Sequence, residues 1–116
     1  MKVFELDKMT RGWFVGDFEP TALSTEACEA AVKRYKSGER ESAHFHAIAT
    51  EVTLVVDGHA RFSDRDVGPG GIVVVEPGEA LSFEAVTDVT TVVVKVPSAP
   101  TDKHLIDIAG TQRSGG

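Results

Sequence analysis

The chain is expected to fold as an all-β sandwich or barrel, on three observations. Short β-branched or alternating segments recur about every 8 to 12 residues, Gly, Pro or Asp-Gly turn signals separate them, and no stretch keeps a convincing helical period. With 116 residues, 41% of them hydrophobic and 26% charged, the chain suits one domain with a core that needs no staples.

Residues 1–29 are expected to form N-terminal strands and a loop packing on the barrel. Val3-Phe4 and Trp13-Phe14-Val15, broken by Gly12 and Gly16, suggest one or two short strands, with Trp13 as a core or dimer-contact anchor. Residues 19–27 turn around Pro20, and residues 28–36 form a strand in which Val32, Arg34 and Lys36 alternate with Ala31, Lys33 and Tyr35. The barrel core spans residues 30–97. After the Ser37-Gly38-Glu39 turn come an extended His44-Phe45-His46, a short loop at residues 47–50 and a β-branched strand over residues 51–57. Asp57-Gly58 is a hairpin signal, and residues 59–62 return from it.

Residues 63–71, S-D-R-D-V-G-P-G-G, are expected to be a polar loop. Ile72 to Val75 is an apolar strand ended by Pro77-Gly78. Leu81, Phe83 and Ala85 alternate with Ser82 and Glu84 as in a half-buried strand, and Thr90 to Val96 is strongly β. The tail, residues 98–116, is expected to hold one short helical or extended segment on the outside and a disordered T-Q-R-S-G-G end.

Eighteen acidic residues against twelve basic give a net charge of −6, with no basic run interleaved with aromatics. Nucleic acid and anionic membrane surfaces are therefore poor partners. The single Cys28 suits a buried inert thiol in a reducing compartment. The N-terminus carries acids where a signal peptide needs an apolar run, and a cytoplasmic location is expected.

The chemistry concentrates between Gly38 and Gly58. His44 and His46 are two apart, so on a strand both imidazoles leave the same face, and a short loop can fold Glu51 back towards them. Two imidazoles and a carboxylate form a ligand set for a divalent transition metal, Fe, Mn, Ni, Zn or Cu. The metal-free alternative is a pocket in which the imidazoles hydrogen-bond Glu51 and either Glu51 or one of the His serves as general base. His59 and His104, without partners in sequence, are expected on the surface. Of Arg34 and Tyr35 one must face inward, where it would orient an anionic substrate or stabilise an enolate; a cross-strand surface pair is the alternative. Leu81 and Phe83 would form an apolar pocket wall, Glu84 would be solvated, and Glu79 shares parity with Leu81 as a further candidate ligand.

The stretch resembles the first motif of the cupin superfamily, G-x5-H-x-H-x4-E-x6-G, with Gly38, His44, His46, Glu51 and Gly58 at every fixed position. The second motif, G-x5-P-x-G-x2-H-x3-N, aligns from Gly70. Gly78 matches, but Glu76 stands at the Pro, Leu81 at the His and Ala85 at the Asn. The resemblance covers roughly residues 30–96 and implies a double-stranded β-helix, a jelly-roll barrel, in a homodimer. It also implies a site short of one ligand, because cupins of the usual type use three His and one Glu. Strands apolar on both faces, such as Val52, Leu54 and Val56 against Thr53 and Val55, also suggest dimerisation. Two functions follow. One is a metal-dependent enzyme acting on a small organic molecule by oxygenation, isomerisation or elimination. The other is a non-catalytic ligand- or metal-binding barrel, a sensor or accessory protein.

Overall fold

The computed structural model describes residues 1–106 in full and residues 112–114 as backbone. Two six-stranded sheets face each other as a double-stranded β-helix. The first holds β1 (Trp13–Gly16), β2 (Leu23–Ser24), β3 (Glu29–Tyr35), β5 (Thr50–Asp57), β8 (Ile72–Val75) and β10 (Val89–Val96), in the order β2-β1-β3-β10-β5-β8. The second holds β4 (Arg40–His46), β6 (Ala60–Phe62), β7 (Arg65–Val67), β9 (Leu81–Ala85), β11 (Lys103–Ile106) and β12 (Gln112–Ser114), in the order β12-β11-β4-β9-β6-β7.

Alternation does the sorting. On β10, Val89, Thr91, Val93 and Lys95 are buried between the sheets, while Thr90, Val92 and Val94 face outward. The densest packing joins Val55, Ala60, Phe62, Phe83, Ala85 and Val89. Phe83 meets Phe62 edge-on at 5.2 Å and Tyr35 at 4.5 Å between ring centroids. Phe62, Phe83 and Tyr35 also line a cavity of about 300 Å³, so the core forms one wall of an internal pocket. Gly58, with φ of 84°, closes the turn after β5, and a Cβ there would collide with the Asp88 carbonyl.

Three expectations need correction. The polar stretch 63–71 contains β7, which pairs with β6 through Ala60↔Val67, Arg61↔Asp66 and Phe62↔Arg65; its Gly and Pro residues lie beyond the strand. The tail segment adds a strand to the second sheet instead of lying outside it, with Lys103, His104 and Leu105 opposite His46, Phe45 and His44. Of the one or two strands expected near the N-terminus one forms, β1, after 3₁₀ turns at Leu6–Lys8 and Thr10–Gly12, whereas the expected turn over residues 19–27 contains β2, which pairs with β1 through Val15↔Leu23 and Gly16↔Ser24. Residues 112–114 pair with β11; disorder in the rest of T-Q-R-S-G-G falls outside the described residues.

Candidate metal centre

Strand geometry aims the two imidazoles. On β4, His44 and His46 are 4% and 3% exposed and face the cavity. Phe45, between them, points the other way and stacks on His104 at 5.1 Å. A register shift between Glu41 and His44, where β4 pairs with β9, lets Glu41 line the cavity although its parity differs. Glu51, on β5, lines the same cavity.

The connecting loop is held from the tail. The buried Asp102 carboxylate accepts the N–H groups of Ala47 at 3.0 Å, Ile48 at 2.9 Å and Ala49 at 2.9 Å. Burial alone would raise its pKa, but these donors outweigh that and hold it below the ordinary value.

One ligand atom from each of His44, His46 and Glu51 lies within 4.8 Å of the others. His46 Nε2 is 3.9 Å from a Glu51 oxygen. His44 Nδ1 is 2.9 Å from the Ser42 carbonyl, which can only accept, so the proton sits on Nδ1 and the Nε2 lone pair is left for a metal. Burial, then Lys95 and His44, push the His46 pKa down to about 4, which keeps that imidazole neutral. Burial raises the pKa of Glu51 despite the opposing pull of Lys95 and His44. A neutral His46 imidazole and the His44 Nε2 beside a desolvated carboxylate fit a divalent cation, which would offset the carboxylate's lost hydration. The three residues could hold one.

Leu81 sits directly opposite His44 on β9 and lines the cavity, so the position that would bring a fourth ligand carries an isobutyl group. Phe83, two residues on, is buried in the same wall. Glu79 is not near the cluster: the Pro77-Gly78 turn leaves it exposed, with its carboxylate accepting the Glu76 N–H at 3.1 Å. Tyr35 is the inward member of its pair, and Arg34 is exposed. Burial and the neighbouring Glu41 carboxylate hold the Tyr35 pKa well above its ordinary value, so it acts as a neutral hydroxyl donor and not as a base. His104 is not a surface residue; its side chain is 19% exposed, stacked on Phe45 and 3.7 Å from Asp102, because the tail joins the sheet. His59 is exposed as expected, and Glu84 pairs with Arg40 at 3.1 Å.

Sequence reasoning missed a group of charged residues in the same cavity. Lys95, cross-strand from Glu51, is 8% exposed and sits 3.4 Å from the buried Glu29. Glu29 in turn accepts the Ser98 hydroxyl at 3.0 Å, and Ser98 Oγ accepts the Asp17 N–H at 2.9 Å. The signal was present: Lys95 occupies an inward position of T-T-V-V-V-K-V, where alternation demands an apolar or partnered residue.

No family model and no curated protein sequence matches the chain. Solved structures do. A Klebsiella pneumoniae protein with a double-stranded beta-helix domain superimposes with a TM-score of 0.64 at 18% identity, over 84% of this chain and 85% of its own. DMSP lyase DddQ from Ruegeria pomeroyi gives 0.69 at 20% identity, over 80% of this chain and 49% of its own. Oxalate decarboxylase from Bacillus subtilis gives 0.62 at 20% identity, over 70% of this chain and 24% of its own; another of its structures is described by its Mn(II) centres. The chain has the fold of the cupin superfamily.

Proposed function

We infer that the protein is a metal-dependent enzyme that uses this barrel and three-ligand cluster to act on a small organic molecule. The carrying observation is the convergence of His44, His46 and Glu51 within 4.8 Å at the wall of an internal cavity. Similar folds that include a lyase and a decarboxylase with Mn(II) centres support the reading.

His44 Nε2, His46 and the Glu51 carboxylate would hold the ion. It would supply Lewis acidity and open positions for substrate or water, since Leu81 brings no fourth ligand. The chain's own groups do the rest. Ser42 fixes the His44 tautomer, and the neutral Tyr35 hydroxyl can donate to an oxygen on which negative charge develops. Leu81 and Phe83 keep one wall dry. Isomerisation and elimination share this need for a polarised oxygen in a water-poor pocket, and oxygenation would require in addition dioxygen and a redox-active ion at the open positions.

The test is thermal unfolding of metal-stripped protein with and without Mn²⁺, Fe²⁺ or Zn²⁺. At about a hundredfold excess over Kd the midpoint should rise by roughly ten degrees in the wild type and hardly at all in Glu51→Gln. No rise with any ion would overturn the metal reading.

A homodimer is the second part of the proposal. The outer face of the first sheet carries two apolar rows, Val32-Val92-Leu54-Ile72 and Ala30-Val94-Val52-Val74, paired in register. Ile72 and Val74 are 65% and 52% exposed. Without a charge in either row, the face needs no complementary partner and suits a second copy of itself.

A further inference from the structure

The cavity gathers basic side chains, matched in number by carboxylates but grouped apart from most of them. Arg11, Lys33, Lys95 and Lys103 all line it, in a protein whose net charge is −6. Lys33 from β3 and Lys95 from β10 place their ammonium groups 4.9 and 4.8 Å from the centroid of one ring, that of Trp13. Among the described residues only Lys95 of these four is in an ion pair, the one with Glu29.

The four carboxylates on the lining do not cancel this charge evenly. Glu29 is bound to Lys95 and Ser98, Glu41 neighbours both Tyr35 and Lys33, Glu51 belongs to the metal cluster, and Glu19, like Arg11, is exposed, which leaves Lys33 and Lys95 as the cations grouped around Trp13. Bringing cations together in a desolvated pocket is unfavourable unless an anion completes the set. Burial is the main cause that lowers the Lys33 pKa, against the pull of Glu41 and with smaller contributions from Arg11, Lys103 and Lys95, so its ammonium is the poorly compensated one of the pair beside Trp13. The Asp17–Ser98–Glu29–Lys95 chain meanwhile holds one ammonium in place from behind. On the other side the pocket is apolar, with Phe62, Leu81 and Phe83.

We propose that the substrate is a small organic carboxylate. Its carboxylate is received by the Lys33 and Lys95 ammonium groups beside Trp13, and its apolar part lies on Phe62, Leu81 and Phe83. This deepens the enzyme reading above and rests on it for the reaction, though not for the binding. A cavity of about 300 Å³ sits at the small end of ligand pockets, which suits a single ring or a short branched chain. The aromatic and aliphatic wall disfavours a fully hydrated anion such as inorganic phosphate.

The experiment is calorimetric titration of the full chain with phenylacetate, phenylacetamide, phenethylammonium and inorganic phosphate, each in metal-stripped and Mn²⁺-loaded samples. Phenylacetate should bind about tenfold or more tightly than the isosteric amide, the size of one charge-assisted hydrogen bond. Phenethylammonium should not bind. Lys33→Met should weaken phenylacetate by about tenfold while leaving the amide unchanged. Lys95→Met leaves Glu29 buried without its cation, so the paired variant Glu29→Gln/Lys95→Met is used for that residue and should show the same selective loss. Equal affinity for phenylacetate and the amide would overturn the proposal, as would a Lys33→Met protein that binds phenylacetate normally, or phosphate binding more tightly than phenylacetate. Lys33-dependent binding of phenylacetate in samples that take up no Mn²⁺ would uphold this inference and remove the metal reading, so the two fail separately.

Discussion

Leu81 lies opposite His44 across the β4–β9 ladder, so an imidazole at that position would leave the strand on the side of the cluster. Leu81→His should therefore complete a four-ligand set and tighten Mn²⁺ or Zn²⁺ binding by about tenfold or more, read by competition with a chelating dye. Unchanged affinity would mean that β9 does not present its residue to the metal. His46 gives a pH prediction for the metal-stripped protein. Its folded pKa of about 4 lies below the ordinary imidazole value of 6.5. The unfolded chain thus takes up a proton that the folded chain refuses. Stability is fully present above 6.5 and falls as pH drops towards 4. Glu51, with its pKa raised, runs the other way: its contribution is present below the ordinary carboxylate range and is lost as pH rises. The difference between wild type and His46→Gln in denaturation midpoint across this range isolates the histidine; parallel curves would contradict it.

The loop from β4 to β5 decides whether His46 and Glu51 meet, and it is clamped by Asp102 from the segment before β11. Asp102→Asn removes the charge and turns one of the two accepting oxygens into an NH2 that faces two of the loop N–H groups. It should cost about 2–3 kcal/mol in chemical denaturation and lower metal affinity, although it touches no ligand. A stable variant with normal metal affinity would show that the loop holds its own shape. This element also marks what the sequence could reveal. The H-x-H pair and its Glu were legible because strand alternation and a short loop are local, and Gly58 announced its own turn. The clamp was hidden because Asp102 acts 53 to 55 residues away from its partners. The Glu29–Lys95 pair was hidden in the same manner, since pairing of β3 with β10 creates it. β7 was masked by the glycines and proline that follow it, and His104 looked like a surface residue because the tail's strand had no strong periodic signal.

Taken together, the two sheets leave one face wet and apolar and enclose one charged cavity. The apolar rows on β3, β10, β5 and β8 predict a dimer in solution by light scattering. Leu54→Asp/Ile72→Asp should convert it to a monomer that still takes up metal, because Leu54 and Ile72 point away from the cavity. A wild-type monomer would remove the proposed interface without touching the site. The site itself stands on its ligands. Protein purified without a histidine tag should carry close to one transition-metal ion per chain by elemental analysis, and His44→Ala, folded by circular dichroism, should carry almost none. Metal-free wild type that takes up no ion on incubation with Fe²⁺, Mn²⁺, Ni²⁺ or Zn²⁺, or a His44→Ala variant as fully loaded as the wild type, would contradict the metal centre.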